Sequence, residues 1–378
     1  MSAAEYTNPV HDGSFPDPFV LRVGGLYYAF GTDMLGRDRR VIGRLRSDDL
    51  VSWTPMEPAL ERPSLPPEDS NQFWAPEVAE SDGRFFLYYS SGFEDTKHRI
   101  RLATSTTPAG PFHDEGLVLT PNEPFAIDPH PFRDDDGTWY LYYARDFLDG
   151  ERAGTALVVD RLVDMRALAG SSRTVLRASA DWQMFRRDRP MYGGVYDWHT
   201  LEGPFVRKHD GRYYLFYSGG NWEEESYGVS YAAADSPLGP FTEPAAAADG
   251  PLILRTVSGR VIGPGHCSVT TGPDGGDWLV YHAWDAARTA RRPCIDPLEW
   301  TADGPRCNGP TWTPQPSPLA RAGAASGAAL HRQQAALDPD VAAPARPAVG
   351  GPHDAVARDR REQRTARHRP ADRPRGTG

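Results

Sequence analysis

The sequence predicts an all-β chain folded as a five-bladed β-propeller, and three observations predict it. An aromatic-rich strand recurs five times: Gly25-Leu-Tyr-Tyr-Ala-Phe, Gly83-Arg-Phe-Phe-Leu-Tyr-Tyr, Gly137-Thr-Trp-Tyr-Leu-Tyr-Tyr, Gly211-Arg-Tyr-Tyr-Leu-Phe-Tyr and Gly276-Asp-Trp-Leu-Val-Tyr-His. The glycines that open these strands are 58, 54, 74 and 65 residues apart, too far for single hairpins and right for four-stranded blades with variable loops. Helical periodicity is weak throughout, the best helical candidate being the short stretch Val163–Gly170.

Within each repeat the aromatic run is nearly continuous, as expected for a strand covered on both faces by neighbouring blades. Asp-Gly at 82–83, 136–137 and 210–211 marks tight hairpin turns before three of these strands. About twenty residues after the strand a second element recurs. It reads Ser47-Asp-Asp-Leu-Val-Ser-Trp-Thr, Ala103-Thr-Ser-Thr-Thr-Pro-Ala-Gly-Pro-Phe and Ala233-Ala-Asp-Ser-Pro-Leu-Gly-Pro-Phe. Its Pro-Gly turn signals place an outer strand, a turn and then the edge strand. Residues 6–318 are assigned to the propeller. The remainder, 319–378, holds no aromatic residue and no isoleucine, is rich in Ala, Pro and Arg, and has no period. It lacks the apolar surface to order itself and is expected to be disordered. A GC-rich gene read out of frame would encode a similar, non-native tail, a hypothesis that sequencing the gene tests.

The net charge is −10, and the segment from Arg321 onward carries +5, so the preceding part carries −15. That balance argues against a nucleic-acid or anionic-membrane partner. Three cysteines without CxxC spacing indicate neither a disulfide framework nor a zinc site. The first residues have no apolar run and no basic leader, and no segment has the length of a membrane span. A cytoplasmic location is the resulting expectation.

Ahead of each aromatic strand stands a residue with chemistry. Asp17 lies in Phe15-Pro-Asp-Pro-Phe and Asp128 in Ala126-Ile-Asp-Pro-His-Pro-Phe. Either Asp alone reads as a turn residue; two similar Asp-Pro entries to equivalent strands read as one site. Glu202, in His199-Thr-Leu-Glu-Gly-Pro-Phe, stands nine residues before Gly211, as Asp128 stands nine before Gly137. His266, in Gly263-Pro-Gly-His-Cys-Ser, opens the fifth blade. In the second, Trp74-Ala-Pro-Glu offers an indole as a stacking plate for a sugar ring. Its Glu77 reads as a buried carboxylate bonded to backbone and arginine rather than as a catalyst. Trp222, after the fourth aromatic strand, is a second candidate plate, read equally well as a loop residue. Two Asp and one Glu around a central pit suit glycoside hydrolysis, which needs one protonated carboxyl and one carboxylate on opposite sides of the sugar. A third carboxylate raises the pKa of the acid.

Taken in order, Phe15-Pro-Asp-Pro-Phe, Trp74-Ala-Pro-Glu, Ile127-Asp-Pro, Leu201-Glu-Gly-Pro and Gly263-Pro-Gly-His resemble glycoside hydrolase family 43, the five-bladed propellers that include arabinofuranosidases, arabinanases and β-xylosidases. The resemblance covers residues 6–316. It implies an inverting mechanism with Asp17 as general base, Glu202 as general acid and Asp128 as modulator of the acid's pKa. It implies that Trp74 lines the glycone pocket and that His266 marks an axial site filled by water or by calcium held through water. No cofactor is required. An arginine of the last blade is expected to contact the glycone and the modulating Asp; Arg291 fits best, with Arg288 and Arg292 as neighbours. Family propellers also close the ring by pairing their terminal segments, here through the segment around Glu299-Trp-Thr. Many family β-xylosidases carry a β-sandwich domain after the propeller, and the tail here does not resemble one, which favours arabinan-directed members. The leading expectation is an exo-acting α-L-arabinofuranosidase on arabinan- or arabinoxylan-derived oligosaccharides. A β-xylosidase, an endo-1,5-α-L-arabinanase and a non-catalytic carbohydrate-binding propeller are the alternatives. A sialidase-type propeller is disfavoured, since no Ser-x-Asp-x-Gly-x-Thr-Trp repeat is present.

Overall fold

The computed structural model describes residues 4–32, 40–63, 72–93 and 96–323. Five antiparallel blades follow one another along the chain. Blade one is Phe19–Val23, Leu26–Gly31, Gly43–Ser47 and Thr54–Pro55. Blade two is Gln72–Ser81, Arg84–Phe93, Thr96–Ser105 and His113–Val118. Blade three is Ala126–Arg133, Trp139–Phe147, Gly154–Val163 and Arg173–Leu176. Blade four is Gly194–His209, Arg212–Gly219 and Gly228–Ala234, edged by a bridge from Ala233 to Thr242. Blade five is Ile262–Thr271, Asp277–Trp284, Arg291–Thr301 and Gly304–Cys307.

The aromatic repeat is the second strand of every blade, and its central rings are sealed between sheets. Tyr88, Tyr89, Tyr142, Tyr217 and Tyr281 have no exposed surface. Burying such a ring stabilises the fold by about 1.5–3 kcal/mol, so the repeat supplies much of the drive that stacks the blades. The Asp-Gly pairs at 82–83 and 210–211 form two-residue hairpin turns with both residues at positive φ. The pair at 136–137 lies in a longer turn between Arg133 and Trp139.

Each first strand enters through a left-handed residue: Asp17 (φ 53°), Ala75 (43°), Asp128 (59°), Gly203 (55°) and His266 (48°), blade five having a second in Gly263 (53°). In blades two to five the ladder shifts register at this point. A bulge of this kind re-aims a side chain. Of these residues Asp17, Asp128 and His266 present their side chains to one central cavity.

Two expectations are corrected. The stretch Val163–Gly170 is not helical: the end of Gly154–Val163 turns through Asp164 and Met165, both at positive φ, into Ala167–Leu168, which folds back on the same strand. Its apolar residues serve a hairpin seam, with Met165 under Tyr88, whose hydroxyl donates to the Met165 carbonyl at 2.8 Å. The ring is not closed by Glu299-Trp-Thr, which belongs to the third strand of blade five. It is closed by Glu5–Tyr6 pairing with Gln315–Pro316, and by Asn8, which binds both backbone groups of Ile295 (2.8 and 2.9 Å). The start of the expected disordered tail carries a helical turn over 318–323; the rest of it lies outside the described residues.

An extra hairpin interrupts the pattern between blades three and four. Met184–Met191 pairs with the first half of Gly194–His209, while Gly154 and Thr155 run parallel to His199 and Thr200 and join the two blades. This hairpin rises beside the axis and walls the site.

Candidate active site

The left-handed entries converge on a cavity of about 320 Å³ lined by Asp17, Trp74, Asp128, Glu202, Trp222, His266 and Arg291, all anticipated from sequence. Gln72, Ile127, Glu223 and the hairpin residues Phe185, Arg186 and Arg189 complete the wall.

Asp17 is held from every side. Its Oδ2 accepts from Thr32 Oγ1 at 2.5 Å, and its Oδ1 lies 3.3 Å from Arg291 Nη1 and 3.5 Å from His266 Nδ1. The Asp17 amide donates to His282 Nδ1 at 3.0 Å. That bond requires a lone pair on Nδ1, so His282 is neutral with its proton on Nε2, consistent with burial pulling its pKa down to about 4. His282 Nδ1 therefore gives no proton to Asp17 Oδ1, 3.3 Å away. Burial is the largest single influence and opposes the charge on Asp17, but the Arg291 guanidinium and, with smaller contributions, His266 and His282 together hold the carboxyl well below the usual range. Burial lowers the pKa of His266 also, against the pull of Asp17.

Glu202 and Asp128 form a coupled buried pair. Burial pushes Glu202 up to about 7, with the charge of Asp17 adding to it and the Tyr227 hydroxyl, donating at 2.6 Å to Oε1, opposing it. Burial also raises Asp128, and repulsion from Glu202 and Asp17 raises it further. Asp128 Oδ2 accepts the Gly203 amide at 2.9 Å, which favours a charge on Asp128. The pair thus retains a proton near neutrality, and Asp17 stands ionised beside it.

The structure also refines the sequence frame. Glu202 does not occupy the position of Asp17 and Asp128; Gly203 does, and Glu202 stands one residue earlier, level with Trp74 and Ile127. The longer turn of blade three puts Gly137 one residue further from its left-handed entry than Gly211 is from its own, so equal counts from the two glycines reach different positions. Glycine suits this position: its φ is +55°, and a Cβ would crowd the His266 ring at 3.1 Å.

Arg291 is the arginine of the site, but its carboxylate partner is Asp17 rather than the expected Asp128. Arg288 binds the Glu223 carbonyl and Arg292 binds Asp285, and neither arginine lines the cavity. Glu77 pairs with the imidazole of His130, on the neighbouring blade, at 2.7 Å, not with arginine. Trp222 has its face 4.4 Å from the Arg291 guanidinium and stacks near Trp284, so it steadies the arginine as well as lining the wall. Trp74 is covered on one face by His98 at 3.7 Å.

Sequence reading missed Thr32, Tyr227, His282 and the hairpin residues. His282 ends the fifth aromatic strand, and an ionisable residue closing a buried repeat was a usable signal. Among the described residues no group of three or more His, Cys, Asp or Glu side chains is placed to hold a metal. Calcium takes six to eight oxygen ligands, so the single imidazole of His266 does not fit direct ligation. No described helix is long and apolar enough to cross a membrane.

The comparisons agree with this geometry. The family model described as Glycosyl hydrolases family 43 matches residues 6–305. The chain is 32% identical over 315 residues to the Aspergillus niger protein named Beta-D-galactofuranosidase xynD, covering 79% of this chain and 83% of the relative. It is 27% identical to the Bacillus subtilis Extracellular endo-alpha-(1->5)-L-arabinanase 1, covering 76% of this chain and 86% of the relative. The crystal structure of a thermostable family-43 glycoside hydrolase superposes with a TM-score of 0.71 at 32% identity, covering 83% of this chain and 99% of that one. With five blades, an axial cavity of carboxylates and a family model spanning nearly the whole propeller, the chain belongs to glycosyl hydrolase family 43 and is a glycoside hydrolase.

Proposed function

We propose that the chain is an inverting, exo-acting glycosidase that releases single α-L-arabinofuranosyl residues from short oligosaccharides. The observation that carries this is three carboxylates of different environment around one small cavity: Asp17 against the Arg291 guanidinium, and Glu202 buried beside Asp128 with the Tyr227 hydroxyl on its Oε1. Asp17 takes a proton from water as the water oxygen bonds to the anomeric carbon. Glu202 gives its proton to the leaving glycosidic oxygen as that bond breaks. Asp128 accepts the Gly203 amide on its Oδ2, a bond that favours leaving the pair's proton on Glu202. Exo action is supported by the cavity's size, at the small end of the ~300–1,000 Å³ of ligand pockets, and by the hairpin that walls it. Two polar atoms on that wall, Trp74 Nε1 and Gln72 Oε1, have no hydrogen-bond partner among the described residues; they suit sugar hydroxyls.

A second reading has its own support. The Aspergillus niger relative is named for β-D-galactofuranose, whose ring has the configuration of α-L-arabinofuranose and differs by one exocyclic hydroxymethyl group. Hydrolysis of aryl α-L-arabinofuranoside, β-D-galactofuranoside and β-D-xylopyranoside, measured side by side, tests the proposal. The arabinofuranoside is expected to have the highest kcat/KM; preference for the galactofuranoside selects the second reading, and preference for the xyloside refutes both.

A further inference from the structure

The five left-handed entries share a device that holds the axis together. At each junction the amide of the entry residue donates to a side chain of the preceding blade. Ala75 N–H donates to Thr32 Oγ1 (2.8 Å), Asp128 N–H to Ser90 Oγ (3.0 Å), His266 N–H to Ser218 Oγ (2.7 Å) and Asp17 N–H to His282 Nδ1 (3.0 Å). The acceptors occupy one position of the repeat: Ser90, Ser218 and His282 are the second-strand partners of Trp74, Glu202 and Gly265, the residues just before their entries, and Thr32 bonds the Pro16 carbonyl in the same place. In blade three the residue opposite Ile127 is Ala144, fully buried and with no acceptor to offer. At that junction alone the amide, that of Gly203, is taken by Asp128 Oδ2 at 2.9 Å.

We propose that Ala144 is a positioning residue of the active site: by withholding the staple that the other blades supply, it forces the Asp128 carboxylate to serve as the staple between blades three and four. The bond does two things at once. It anchors the entry that carries Glu202 one residue earlier, and it favours the ionised form of Asp128 over a protonated one. The proton shared by the pair is thereby directed to Glu202, where bond cleavage uses it. A serine at 144 would present its hydroxyl to the Gly203 amide as Ser90 and Ser218 do to theirs, and Asp128 would lose the donor that favours its charge.

The pH consequence rests on Glu202 being the acid; the structural one does not, so the two arms fail separately. The structural arm is a double-mutant cycle in thermal stability between A144S and D128A. In the D128A background Gly203 N–H is left buried without a partner, and A144S is expected to raise the Tm by roughly 1.5–4.5 °C. In the parent chain the same substitution gains nothing, because the amide is already satisfied. An equal effect of A144S in both backgrounds would overturn the staple.

The second arm is the pH profile of kcat/KM for A144S on an aryl glycoside. Weakening the charge on Asp128 moves the shared proton toward Asp128 and depletes the productive arrangement. The rate is expected to fall about threefold on the plateau, the effect of a ~1 kcal/mol hydrogen bond on an evenly shared proton. At high pH, where both carboxyls are ionised with and without the substitution, the profiles converge. A loss that is equal at every pH would overturn the proton-directing role while leaving the staple to the stability cycle.

Discussion

Tyr227→Phe is the most informative single change in the site. The ring is almost fully buried, lies parallel to His282 at 5.9 Å, and would keep that packing as phenylalanine. Only the hydroxyl is lost, and with it the 2.6 Å bond to Glu202 Oε1. A hydrogen bond to a charged group contributes about 1.5–3 kcal/mol and one to a neutral group about 0.5–1.5 kcal/mol. The differential support for the ionised form is therefore about 1–1.5 kcal/mol. At 1.36 kcal/mol per pKa unit, Glu202 should rise by about one unit above its value near 7. The sign follows from its role: an acid with a higher pKa stays protonated to higher pH, so the alkaline limb of kcat/KM moves up by about one unit while the plateau is kept. The assay is the pH dependence of kcat/KM on an aryl glycoside that the parent enzyme turns over. A limb that stays in place, or moves down, refutes the assignment of Glu202 as the group titrating there.

Further predictions use the same geometry. Glu202→Gln should lose about 10²–10⁴ in kcat on natural oligosaccharides but much less on aryl glycosides with good leaving groups, whereas Asp17→Asn should abolish turnover of both; steady-state kinetics on the two substrate types reads the contrast. Arg291→Met removes the cation that keeps Asp17 ionised, so the acidic limb of kcat/KM should rise by about 1–3 units, activity being lost as pH falls through the raised pKa of Asp17. Gly265→Ala would put a Cβ 1.9 Å from the Tyr227 ring and displace the hydroxyl from Glu202. It should move the alkaline limb as Tyr227→Phe does and lower the Tm in addition, seen by a thermal melt beside the pH profile.

Much of this architecture is written in local pattern. The aromatic strands are legible because the middle of a propeller blade is buried on both faces, and burial leaves a continuous run in the sequence. Asp17, Asp128 and His266 are legible because each opens a blade at the same left-handed step, and proline follows the first two. Glu202 was found by a frame one residue out of step, and a difference in turn length explains why. What escaped depends on partners far apart in sequence. Nothing around Tyr227 announces that its hydroxyl reaches Glu202, and nothing in Trp74-Ala-Pro-Glu announces that Glu77 meets His130 of the next blade. The short strand Glu5–Tyr6 has too few residues to show a period, yet it closes the ring. The hairpin Met184–Met191 is charged and half-exposed, so it reads as a loop until the cavity it walls is seen.

The central claim is that Asp17 activates water on the face of the sugar opposite the bond that Glu202 breaks. Proton NMR of the first-formed sugar, recorded before mutarotation from an aryl α-L-arabinofuranoside, tests it directly. Inversion yields β-L-arabinofuranose as the initial product, with the α anomer growing only as equilibrium is reached. An initial α anomer would mean retention, a covalent intermediate on one of these carboxylates, and a different role for Asp17.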